Sequence, residues 1–142
     1  MGGVATAIKK DEQMFTIKVN EGLEKDEFIL TRHCQFNPPI NILNIYGEIE
    51  SRSNVKLIEE RWNHILEIVS KVETQQESIV ILGDMNKAVG NGQFGVKGNT
   101  EKVSFGGKLI HNFLSGGKYR LVNNTEKMYW WPLYTSRACQ YI

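Results

Sequence analysis

The residues with the clearest chemical potential close a hydrophobic run, where Ile79-Val80-Ile81-Leu82 leads into Gly83-Asp84-Met85-Asn86. A strand that delivers an acid and an amide at its C-terminal edge is a common way to build a site on an α/β sheet. If the backbone stays extended there, Asp84 and Asn86 point to the same side, because side chains alternate along a strand. An ionised Asp84 only accepts hydrogen bonds, so it suits orienting or deprotonating a water. Asn86 donates two N–H bonds and can steady an oxygen that gains negative charge, without competing for the proton. Water activator beside oxyanion donor is the layout that phosphodiester hydrolysis requires. Taken alone, Gly-Asp-x-Asn is also a good turn, and by itself the turn reading has the better claim.

The elements that must position these residues follow from hydrophobic spacing. Residues 4–8 read as a short apolar strand, 9–13 as a charged turn and 14–19 as the return arm of a hairpin. Residues 27–32 form a third strand, and after Pro38-Pro39 residues 40–46 alternate as a fourth. The period then changes. Val55, Ile58, Trp62, Ile65, Leu66, Val69 and Val72 recur at three and four residues, which predicts an amphipathic helix with Ser51, Ser53 or Asn54 as N-cap. Trp62 lies on the apolar stripe as a core anchor, and His64 lies off it on a solvated face. Residues 78–82 are nearly all apolar, as in a strand buried on both faces. A glycine-rich stretch follows, and Leu109, Ile110, Phe113 and Leu114 mark a short helix closed by Gly116-Gly117. Residues 119–122 return as a strand. The pattern is mixed α/β (α+β).

Composition narrows the alternatives. The 142 residues suffice for one core, and 17 basic against 16 acidic residues leave a net charge of +1. That balance removes any global electrostatic case for nucleic acid or membrane, so contact with a polyanion must come from a local site. Cys34 and Cys139 are too far apart in sequence for a metal-ligand pair and favour a reduced, intracellular setting, nuclear or cytoplasmic. No leader opens the chain, and no apolar run approaches the roughly 18 residues of a membrane span.

Context raises the weight of the acid–amide pair. Asn44-Ile45-Tyr46-Gly47 places an aromatic hydroxyl at the end of the preceding strand. The ordered set is Gly2-Gly3-Val4-Ala5, Asn44-Ile45-Tyr46, the helix from Val55, Ile81-Leu82-Gly83-Asp84-Met85-Asn86, Val89-Gly90, Gly95 to Gly98, Gly107-Lys108-Leu109 through Phe113, and Leu121-Val122-Asn123. It resembles the endonuclease/exonuclease/phosphatase superfamily, most closely the endonuclease domain of non-LTR (LINE-type) retrotransposons. The resemblance implies an incomplete four-layer α-β-β-α sandwich over residues 1–126, a divalent metal (magnesium), DNA as partner and cleavage of a phosphate ester. It also implies roles: Asp84 aligns the attacking water, Asn86 steadies phosphoryl oxygens, and Tyr46 contacts the scissile phosphate. His111 matches no position of the family motif and reads as a surface or capping histidine.

Two departures set the expected activity. The family's opening strands carry an asparagine and a metal-binding glutamate ahead of the Gly-Gly-Val segment. Here Met1 stands directly before that segment, and Glu12, Glu21 and Glu24 fall in turns. The family also ends with an Asp-containing strand and a Ser-Asp-His element that this chain lacks. Residues 127–142 fit neither helix nor strand. A one-nucleotide shift of their codons permits Cys-Ile-Gly-Gly-Pro-Phe-Thr-Arg-Val-Glu-Pro, which resembles the family's continuation, so the tail reads as frameshifted. The expectation is a partial, inactive phosphodiesterase whose principal magnesium ligand is missing. The alternatives are a non-catalytic relic or interaction module on the same scaffold, and a complete small enzyme using Asp84 with acids such as Glu48 or Glu50.

Overall fold

A computed structural model describes residues 5–19, 28–89 and 102–120. Its regular elements are β1 (Thr16–Val19), β2 (Phe28–His33), β3 (Ile40–Tyr46), α1 (Val55–Thr74), β4 (Ser78–Asp84) and α2 (Phe105–Ser115), with a 3-10 helix at Lys10–Phe15 ahead of β1. The strands form one sheet in the order β1-β2-β3-β4. The described residues fall into two compact units, divided at 47/48, 59/60 and 83/84.

The first unit holds the sheet. β1 and β3 both run antiparallel to β2, with Val19 opposite Leu30, Leu30 opposite Leu43, Phe28 opposite Ile45 and Arg32 opposite Asn41. Residues directly opposite share a face, so these side chains form one surface. Leu30, Leu43 and Ile45 are buried on it. α1 covers this face: Ile68 and Val72 border the same cleft as Val19, Leu30 and Asn41, and the His64 ring lies 6.5 Å from that of Phe28. The helical period places Ile65, Ile68, Val69 and Val72 on one side, and all four are buried. Each such side chain contributes about 1.5–3 kcal/mol on leaving water.

β4 returns beside β3 in the same direction. The Ser78 N–H donates to Pro39 O at the start of both strands, and Gly83 lies against Ile45 at their ends. A helix joining two parallel neighbours is the βαβ arrangement. β4 is not buried on both faces as its composition suggests. Its burial alternates, leaving Val80 46% and Leu82 36% exposed. It stands at the end of the strand order, where an apolar sequence no longer implies two covers.

Three further expectations are corrected. Residues 5–8 form no strand; the Ala5 carbonyl accepts from the Asn44 side chain instead of a backbone ladder. The return arm begins at Thr16 because the turn continues as a 3-10 helix through Phe15. Tyr119 and Arg120 lie outside any strand; the Tyr119 ring instead stacks on Phe113, 4.4 Å between centroids. Residues 121–142, with the 126/127 boundary and the frameshifted tail, lie outside the described residues, as do most of the glycine-rich loop and residues 1–4. Trp62 is half-buried and outside the fully buried set, and His64 is half-buried beside Glu67 at 3.5 Å.

Candidate functional site

Asp84 is the last residue of β4, and the extended backbone does not continue to Asn86. Asn86 takes φ 49°, in the left-handed region, which Asn tolerates better than most residues. The Asp84 Oδ1 accepts the Asn86 backbone N–H at 3.0 Å. This is an Asx turn, in which an acid side chain holds the backbone two residues on. The structure therefore joins the Asp84 carboxylate to the Asn86 backbone by a local bond, and the same-side argument from strand alternation does not apply. Met85 between them is buried, while Asp84 and Asn86 are each half-buried. Tyr46 ends β3 in the other compact unit and is 37% exposed.

Gly83 is what lets β4 end there. Its φ is 127°, and a Cβ at this position would stand 1.9 Å from the Ile45 carbonyl oxygen. Only glycine permits both the angle and the close approach.

The second unit continues from Asp84, and its organising feature is the N-terminus of α2. Ser104 caps that helix by accepting the Gly107 N–H at 3.1 Å. Ala88 pairs reciprocally with it: the Ser104 N–H donates to Ala88 O at 2.8 Å, and the Ala88 N–H donates to Ser104 Oγ at 3.3 Å. Val89 and Val103 form a β-bridge. The His111 Nε2 lies 2.6 Å from Val89 O. A carbonyl only accepts, so this nitrogen carries the proton. His111 is thus an internal tie from α2 to residue 89, not a surface histidine.

Glu50 completes this terminus. Its Oε1 accepts the Phe105 N–H at 2.8 Å and its Oε2 accepts the Gly106 N–H at 2.9 Å. Desolvation pushes this carboxyl's pKa up, but the N–H groups of Gly106 and Phe105, the Ser104 hydroxyl and the Lys87 charge together hold it below the ordinary 4.5. Lys87 lies across the same turn, with Nζ donating to the Glu48 carbonyl. Ile110 and Leu114 are buried with Gly106 and Gly107 on the inner face of α2.

A second polar cluster lies in the first unit. Arg32 Nε and Nη2 clasp the Glu77 carboxylate, and Asn41 Nδ2 donates to Glu77 Oε2 at 2.9 Å. Asn41 occupies a core row at 2% exposure, and its second bond, to Ser78 O at 3.3 Å, satisfies the remaining donor. The hydrogen bond from Arg32, then that from Asn41, holds the Glu77 carboxyl below its usual range. These groups line a cleft of about 360 Å³ with Val19, Leu30, Ile68 and Val72.

Sequence reasoning missed Lys87 and Ser104, and named Glu50 only as a candidate metal ligand, not as the partner of the α2 terminus. Ser104 was legible, as a hydroxyl just before a helical period. Glu50 and Lys87 carried no local signal, because their partners stand 55 and 39 residues away. The proposed use of Glu50 as a metal ligand conflicts with its two backbone bonds. Among the described residues no three His, Cys, Asp or Glu side chains gather as a metal-holding group. No described helix is long and apolar enough to cross a membrane. No protein-family model matches this chain, and neither the curated proteins nor the solved structures give a match.

Proposed function

We propose that this chain is a phosphodiesterase-type domain, DNA endonuclease-like and of retrotransposon derivation, that presents a phosphate-handling turn without turning substrate over. The observation that carries the reading is the turn Asp84–Asn86 at the carboxyl end of β4, following a parallel β3–α1–β4 crossover. Ligands of open α/β sheets gather outside the carboxyl ends of strands. Asp84 uses one of its carboxylate acceptor positions within the turn and retains others for a water. Asn86 is the group this reading directs at phosphoryl oxygens. Magnesium and DNA belong to the same reading, as does the four-layer sandwich, of which the described sheet and α1 would supply two layers.

The lack of turnover rests on two features. Among the described residues no three His, Cys, Asp or Glu side chains gather to hold a metal ion that would offset transition-state charge. The described histidines have other employment: His33 sits with Thr16 and Thr31, His64 with Glu67, and His111 with Val89. The same features support a second reading, a non-catalytic interaction module on this scaffold.

A thymidine dinucleotide titrated against ¹⁵N-labelled protein tests the first reading. Saturable shifts confined to residues 84–87 and the Asn86 side-chain amide are expected. A dinucleotide that moves none of these signals would leave the interaction-module reading in its place. Plasmid nicking with magnesium tests turnover. Wild type and Asp84→Ala should both stay at buffer background, and nicking by wild type alone would make the protein a working enzyme.

A further inference from the structure

We propose that Lys87 and Glu50 are positioning residues, forming a strap that ties the segments 48–50 and 86–89 to the first turn of α2 and so fixes where Asn86 presents its amide. The use of that amide rests on the phosphodiester reading, whereas the strap itself does not.

The sheet cannot perform this task. β4 ends at Asp84, and residues 85–88 have no regular structure. A left-handed residue just past a strand end needs an outside constraint, because its own conformation is not the favoured one. The constraint arrives in four places. The Ala88–Ser104 pair and the Val89–Val103 bridge fix the backbone downstream. The Lys87 stem lies against Gly106: a Cβ there would stand 2.2 Å from Lys87 Cδ and 2.6 Å from Cε, so the stem would have to leave its present path. At the far end of the stem the ammonium donates to the Glu48 carbonyl. Glu50, two residues on, grips the Phe105 and Gly106 N–H groups with both oxygens.

Lys87 therefore runs past the helix terminus that Glu50 grips, and the two opposite charges favour each other across it. A carboxylate at a helix N-terminus is in its preferred electrostatic place. Gly107 tightens the same junction, since a Cβ there would stand 2.0 Å from Ala88 O. The stem, Gly106 and the carboxylate form one mechanical unit, and Asn86 is the residue immediately before it.

Amide hydrogen exchange on the full chain tests the strap without any ligand. Gly106→Ala adds one methyl at a position where alanine is the better helix former, so a loss there cannot come from a weaker helix. Exchange at residues 86, 88 and 104 should accelerate at least tenfold in Gly106→Ala and in Lys87→Ala, with the amides of β2 and β3 unchanged. Lys87→Met, which keeps the stem and drops the charge, should recover part of the protection. Unchanged exchange at residues 86 and 88 in Gly106→Ala and Lys87→Ala would overturn the proposal, and so would equal acceleration in β2 and β3. The dinucleotide titration is the separate arm. Affinity should fall about tenfold in Lys87→Ala, and in an Asn86→Gly background Lys87→Ala should add nothing. Exchange that changes as expected in a protein whose wild type ignores the dinucleotide would keep the strap and remove the phosphodiester reading.

Discussion

At the scale of single residues, Asn86 can have its structural and chemical roles separated. Its φ of 49° costs an alanine roughly 1–2 kcal/mol and costs glycine nothing. Asn86→Ala should therefore lower stability in urea by about 1 kcal/mol, and Asn86→Gly should leave it within about 0.5 kcal/mol of wild type. If the side-chain amide meets phosphate, both variants lose the dinucleotide response, including the one whose stability is intact. Gly83 makes the opposite case, a residue with no chemistry and a large structural effect. Gly83→Ala meets a backbone oxygen at 1.9 Å with φ at 127°, and should cost at least about 3 kcal/mol by urea denaturation. Both residues were visible in the sequence as Gly-Asp-x-Asn, and the turn signal in that string describes the observed bond from Asp84 to Asn86. What the string could not show was the company it keeps. Glu50 and Lys87 sit at α2 through contacts that span most of the second unit, and periodicity within a window has no access to such pairs.

At the scale of elements, legibility followed how local the determining physics is. β3 begins and ends where its alternation does, and the stripe from Val55 marks a helix on which Ile58, Ile65, Val69 and Val72 are buried as it predicts, while Val55, Trp62 and Leu66 are half-buried and Ile68, outside the stripe, is buried. Within β3, however, the buried row includes Asn41, because Glu77 and Ser78 from beyond α1 satisfy its amide. No pattern internal to residues 40–46 distinguishes that asparagine from Asn44. β4 failed for a related reason: a run of Ile-Val-Ile-Leu reports apolarity and not how many neighbours the strand has. Its half-open state yields a prediction. Val80→Thr with Leu82→Thr removes exposed apolar surface from a strand and leaves a β-branched residue at both positions. Stability should move by no more than about 0.5 kcal/mol per site, and light scattering should show less self-association than wild type. A large loss of stability would mean that these two side chains are covered after all.

At the scale of the whole molecule, the two compact units share an electrostatic liability that a net charge of +1 conceals. Each is fastened by one carboxylate held below its ordinary pKa, Glu77 by Arg32 and Asn41 in the first and Glu50 by the α2 terminus in the second. A depressed folded-state pKa means that the unfolded chain takes up the proton first as pH falls. The stabilisation is complete above the ordinary value of 4.5 and is lost as pH drops through the lowered values. The melting temperature should therefore stay nearly level from neutrality to about pH 5 and decline below that. Glu77→Gln and Glu50→Gln should each melt lower than wild type at pH 7, since glutamine offers one carbonyl acceptor in place of two carboxylate oxygens. Each should also fall less steeply on acidification, having one fewer group to titrate. Hydrogen exchange at pH 7 separates them: Glu77→Gln should loosen Arg32 and Asn41 in the sheet, and Glu50→Gln the amides of residues 104–107. A melting temperature as acid-sensitive in the double variant as in wild type would refute the assignment of that liability to Glu77 and Glu50.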